Sequence, residues 1–197
     1  MGIMRQQHKS YIIFCIRAIL VLFIFISMMN GAIFVKIAMA ASSKEIDIKV
    51  DAALEKFKKE VGGAESFLKA AQGVLVFPRV IKAGFGIGGE YGEGALRIGQ
   101  KTVDYYSTAS ASIGFQLGAQ SKTVILVFLD KDALEKFRDS SGWEIGVDGS
   151  VALITLGAGG SIDTTNIKDP IVGFVFSNKG LMYNLTLEGS KITRLKR

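Results

Sequence analysis

The stretch Ala71-Gln72-Gly73-Val74-Leu75-Val76-Phe77-Pro78-Arg79-Val80-Ile81-Lys82-Ala83-Gly84-Phe85-Gly86-Ile87-Gly88-Gly89-Glu90-Tyr91-Gly92-Glu93-Gly94 decides how this chain folds. Glycine in a helix interior costs about 1 kcal/mol per residue relative to alanine, so this density of glycine excludes a helix. The runs between the glycines are rich in Val, Ile and Phe, and they predict strands over Val74 to Phe77, Ala83 to Glu90 and Gly94 to Ile98. Glycine inside a strand permits sharp curvature and close backbone approach, as a strongly bent sheet needs. Gly84 to Gly89 also fits the spacing G-x-G-x-x-G. That pattern cradles a pyrophosphate only between a strand and a helix, and here more glycine and another strand follow, so a kinked, glycine-rich hairpin is the better reading.

Downstream, period-two alternation continues. It predicts strands over Thr102 to Tyr106, Ala111 to Gly118, Thr123 to Leu129, Val147 to Leu156, Ile171 to Phe176 and Leu181 to Leu187. The last two read as a hairpin joined by Ser177-Asn178-Lys179-Gly180. Asp130 reads as the cap of a short inserted helix, Lys131 to Arg138, and Trp143 as a core anchor. Upstream, Ser42 to about Val61 reads as an amphipathic helix with Ile46, Val50, Leu54, Phe57 and Val61 on one side, capped by Ser42 and Glu45. A shorter helix follows from Ala64 to Ala71. The fold class is therefore α+β: an N-terminal amphipathic helix, then a glycine-rich, mainly antiparallel sheet or barrel with a short inserted helix.

Residues 1–40 differ from the rest. They carry Arg5, Lys9, Arg17 and Lys36 but no acid, an 18-residue run from Ala18 to Val35, and Ala38-Met39-Ala40 before Ala41. This is the layout of a signal peptide cleaved after Ala40, and the alternative is an uncleaved membrane anchor. The whole chain has 24 basic and 18 acidic residues, net +6. Without the four basic residues of the leader, 20 basic residues face 18 acidic ones, net +2. The chain's one Cys and one His, Cys15 and His8, both lie in the leader. Residues 41–197 therefore lack disulfides, imidazole catalysis and His/Cys metal sites, and no cofactor is expected. A near-neutral domain also has few charges to spare for phosphates, which argues against nucleic acid.

Carboxylate chemistry fares little better. Glu90 and Glu93, three apart on one strand, face opposite ways, and no spacing supplies a base to a Ser or Thr nucleophile. What remains is interfacial. The first helix sets Lys44, Lys49, Lys56, Lys58 and Lys59 opposite its apolar stripe, an arrangement able to lie on anionic headgroups. The same stripe suits packing on the protein's own sheet, and amphipathicity leaves the choice open.

The opening stretch, with Tyr106-Ser107, Gly114 to Ser121 and Val124 to Phe137, resembles the SYLF domain, also called the YSC84-like actin-regulator domain, over most of Leu54 to Leu187. The resemblance implies phospholipid binding through the helix lysines, with Arg79 and Lys82 beside the glycine block joining the membrane-facing set. No SH3 domain or actin-binding extension accompanies it, so the cytoskeletal role does not transfer. The expectation is a non-enzymatic protein, exported to the periplasm or cell envelope, that binds an anionic phospholipid membrane. The alternative is a structural module whose partner is an envelope protein.

Overall fold

The computed structural model describes residues 41–155, 169–180 and 189–197, with side chains at 85–86, 112–117, 155 and 177–180 left aside. The signal peptide or anchor predicted over residues 1–40 and the strand predicted over Leu181 to Leu187 lie outside the described residues. Element order is α1 (Ser43–Glu60), α2 (Ala64–Ala70), β1 (Gly73–Ile98), β2 (Lys101–Phe128), α3 (Lys131–Asp139), β3 (Trp143–Glu144), β4 (Ala152–Thr155), β5 (Ile171–Gly180) and β6 (Lys191–Leu195). Ala41–Arg197 forms one compact unit, and among the described residues it holds two clusters of buried apolar side chains.

The centre of the unit is one very long antiparallel hairpin. The three strands predicted between Val74 and Ile98 are a single 26-residue β1, and the three between Thr102 and Leu129 are a single 28-residue β2. They pair from Gly73↔Phe128 to Ile98↔Lys101. The glycines therefore do not break the ladder; they bend it. Register shifts fall at Phe77/Val80 and Phe85/Ile87, and Gly84 packs so closely on Gly88 that an added Cβ would lie 2.4 Å from the Gly88 Cα. The Gly84–Gly89 segment is thus a kink within β1, not a hairpin or a phosphate loop.

Because of this bending, the two halves of β1 lie against each other. A Cβ on Gly94 would meet the Val76 carbonyl oxygen at 2.0 Å, and one on Gly92 the Arg79 carbonyl oxygen at 2.9 Å. Along the other edge of β2, β6 pairs with Tyr105 to Ala109 and β5 with Gln120 to Phe128. The path β3-β6-β2-β5-β4 gives a curled half-barrel, mainly antiparallel, with one parallel pair, β4 on β5. The α+β fold class holds, as an open curled sheet.

Two of the expected strands are corrected. Ser177 to Gly180 is no turn: β5 runs through it, pairing Ser121↔Lys179 and Gln120↔Gly180, because the long β2 offers an edge that keeps the backbone extended. Among the described residues of the strand expected over Val147 to Leu156, strand structure is confined to Ala152–Thr155, while a turn beside Glu144 takes up Val147 and Asp148.

The curl separates two apolar layers. Inside lie Leu75, Phe77, Val80, Leu96, Tyr106, Val124, Leu126 and Phe128, closed at one end by Leu134 and Phe137 of α3 and by Trp143. Phe137 lies tilted against Tyr106 and Phe128, each at 5.0 Å, and meets Trp143 edge-on at 5.6 Å, so Trp143 is the expected core anchor. Outside, Val74, Val76, Ile125, Val127, Val172, Phe174 and Phe176 are covered by Ile46, Val50, Ala53 and Phe57 of α1 and Phe67 of α2. Burying a side chain of this size contributes about 1.5–3 kcal/mol, so this layer holds the helices firmly.

Candidate functional site

The stripe of α1 is committed to the protein's own sheet. Phe57 meets Phe174 edge-on at 4.8 Å and Phe176 at 5.6 Å. Ala53 takes the buried place that the spacing gave to Leu54, which is only partly buried. Polar bonds pin the helix as well. Asp47 accepts from the Thr102 hydroxyl at 2.6 Å and the Tyr105 hydroxyl at 2.9 Å, and Arg97 pairs with Asp51 at 2.7 Å. Ser42 accepts from the Glu45 N–H, the cap read from sequence.

What α1 offers outward is its lysine face. Lys44, Lys49, Lys58 and Lys59 are exposed and Lys56 is half-buried. Lys49 pairs with Glu45 at 2.5 Å, Lys58 with Glu55 at 2.7 Å and Lys56 with Glu60 at 3.6 Å. The hydrogen bond from Lys49 holds the Glu45 carboxyl below its ordinary range, and Glu55 raises the Lys58 ammonium. Among the described residues Lys44 and Lys59 form no ion pair, though the Glu55 carboxyl, lowered chiefly by its hydrogen bond from Lys58, is lowered further by the Lys59 charge. Such exposed pairs are each worth under about 1 kcal/mol, so their carboxylates yield readily to a competing anion.

The structure separates Arg79 from Lys82. Arg79 is exposed, whereas Lys82 is 6% exposed and faces the interior, because strand alternation after the bulge at Phe77/Val80 puts it on the side of Val80. Lys82 therefore does not join a surface set with the helix lysines.

Lys82 instead belongs to a polar cluster that sequence reasoning missed. Lys122 on β2 and Glu90 on the returning half of β1 form an ion pair at 3.0 Å, with side chains 0% and 3% exposed. Gln120, Thr108 and Lys82 are buried on the same inner face. Burial pushes the Lys122 ammonium down, opposed by the Glu90 charge and assisted by Lys82. A signal was available: Gln120 and Lys122 occupy the same phase of β2 as Val124, Leu126 and Phe128, which marks them as inward-facing.

Glu90 and Glu93 do face opposite ways. Glu93 accepts from the Tyr91 hydroxyl at 2.9 Å and the Ala41 N–H at 3.2 Å and pairs with Arg197 at 2.9 Å. An open groove of about 810 Å³ runs beside α1, α2 and the β1–β2 turn. It has a Leu54, Leu68 and Val74 floor and a rim of mixed sign that includes Lys58, Lys69, Glu65 and Arg97. Among the described residues no cluster of acidic, His or Cys side chains could hold a metal, and no helix is long and apolar enough to cross a membrane.

No curated protein matches the chain. Residues 109–197 match a family model, Ysc84, described as Las17-binding protein actin regulator. The matched segment begins within β2 and takes in α3 and β3 to β6, the elements built on the long edge of the hairpin. Over that segment, a little under half of its length, the chain is similar to the Ysc84, or SYLF, family.

Proposed function

We propose that residues 41–197 form a non-enzymatic lipid-binding domain, exported to the cell envelope, that docks electrostatically on an anionic phospholipid surface. The observation that carries this reading is the outward lysine face of α1, with Lys44 and Lys59 outside any ion pair among the described residues and Lys49, Lys56 and Lys58 in weak exposed pairs. The family match supports a lipid- or actin-binding type of domain. Since the apolar stripe is already buried under the sheet, the contact is headgroup attraction rather than insertion of α1. Each basic residue near an anionic surface contributes about 1 kcal/mol, and salt screens the contribution. Cleavage after Ala40 would turn the Ala41 nitrogen into an ammonium beside Glu93, a carboxylate it already meets at 3.2 Å.

Co-sedimentation of residues 41–197 with neutral and anionic vesicles across a salt series tests the reading. The expected result is binding to anionic vesicles only, lost at high salt and in a Lys44→Glu/Lys59→Glu variant that keeps its thermal midpoint. Absence of binding to any vesicle sinks it and favours the envelope-protein module. Binding unchanged in the variant moves the contact away from α1.

A further inference from the structure

We propose that the inner face of the kinked hairpin, at Lys82, Gln120 and Lys122, is a binding site for an oxyanion. This inference goes beyond the membrane-docking reading and does not rest on it. The ladder pairs Lys82 directly with Gln120, and Lys122 lies two residues further along β2, so the three side chains share one face. All are buried, Gln120 to 2% exposure. Glu90 neutralises one ammonium, that of Lys122. The Lys82 ammonium has no carboxylate within ion-pair distance among the described residues, and neither the Nε2 nor the Oε1 of Gln120 has a hydrogen-bond partner.

Buried amides are normally bonded, so Gln120, orphaned at both its nitrogen and its oxygen beside the unpaired Lys82, marks a place built for an absent partner. An oxyanion there accepts from the Lys82 Nζ and the Gln120 Nε2, and it balances the second positive charge. A hydroxyl on the same headgroup would satisfy Gln120 Oε1. The position suits such a ligand. On one side Val80 and Val124 continue the apolar interior; on the other, two register pairs away, Gly84↔Gly118 begins the kink, where a Cβ on Gly118 would meet nothing within 4 Å. A phosphate or carboxylate could arrive free or as the head of a single-chain amphiphile.

The test uses residues 41–197 with three probes below their micellar concentrations: inorganic phosphate, octyl phosphate and octanoate. The readouts are the thermal midpoint and the NMR signal of the Gln120 side-chain amide. At least one probe is expected to raise the midpoint and shift the amide. Gln120→Leu should weaken that binding about tenfold or more, as loss of a hydrogen bond to a charged group does, with the exposed Lys131→Gln unaffected. Effects from the octyl compounds alone assign the site to a lipid headgroup; an effect from inorganic phosphate as well assigns it to the free anion. No effect from any probe, or equal affinity in Gln120→Leu, overturns the proposal. Should Gln120→Leu fail to fold, the wild-type amide signal decides: a saturable shift supports the site and an unmoved signal refutes it.

Discussion

Lys122 and Glu90 show how much one residue's phase can matter. Breaking the pair with Lys122→Met strands the Glu90 carboxylate in the interior, and the expected loss is about 3–5 kcal/mol. Replacing both, Lys122→Met with Glu90→Gln, removes both charges and should recover a large part of it. Urea unfolding of the single and double variants checks this, and a double variant no more stable than the single would contradict it. Tyr106 gives a pH signature. Burial, reinforced by the Asp104 charge, pushes its hydroxyl from 10.0 up to about 12. The unfolded chain therefore ionises first as pH rises, so the contribution is complete below about pH 10 and is lost between about pH 10 and 12. Its hydroxyl has no hydrogen-bond partner among the described residues, so Tyr106→Phe should be near neutral at pH 7 and flatten the alkaline limb of a stability profile.

At the scale of elements, β1 depends on glycine at the close approaches more than at turns. Gly94→Ala drives a methyl group into the Val76 carbonyl, while a Cβ on Gly89 has its nearest neighbour at 3.9 Å, so the first substitution should be severely destabilising and the second mild. Thermal melts of the pair test whether the hairpin is bent as described. Helix α1 is held by packing: Phe57→Ala empties the space against Phe174 and Phe176 and should cost about 3–5 kcal/mol in chemical unfolding. Loss of the Ser42 cap should cost only about 1 kcal/mol.

Across the whole unit, the curled hairpin organises two layers and two different chemistries. Its outer surface is closed by α1, whose lysines then face solvent, and its inner surface ends in a buried polar cluster. At one edge Glu93 gathers the Ala41 N–H and Arg197, whose guanidinium also donates to the Ala41 carbonyl. Glu93→Gln should therefore lower the thermal midpoint of residues 41–197, and the drop should shrink as salt is raised; a midpoint unchanged at low salt would show that this junction contributes nothing.

The sequence by itself determined the α+β class, the helix bounds to within a residue or two, the caps at Ser42 and Asp130, the buried Trp143, and the opposite facing of Glu90 and Glu93. Those are local matters of period, cap chemistry and side-chain volume. Tertiary structure alone decided that six predicted strands are two, that Ser177 to Gly180 continues a strand, and that the stripe of α1 belongs to the sheet. It also sent Lys82 inward while Arg79 stayed out. The physical reason is that each outcome depends on a partner far away in the chain. A glycine marks freedom to bend without saying whether the ladder survives the bend, and a bulge at Phe77/Val80 resets every later residue's face. The apolar side of an amphipathic helix likewise records the need for a cover, while only the fold brings Phe174 and Phe176 to supply it.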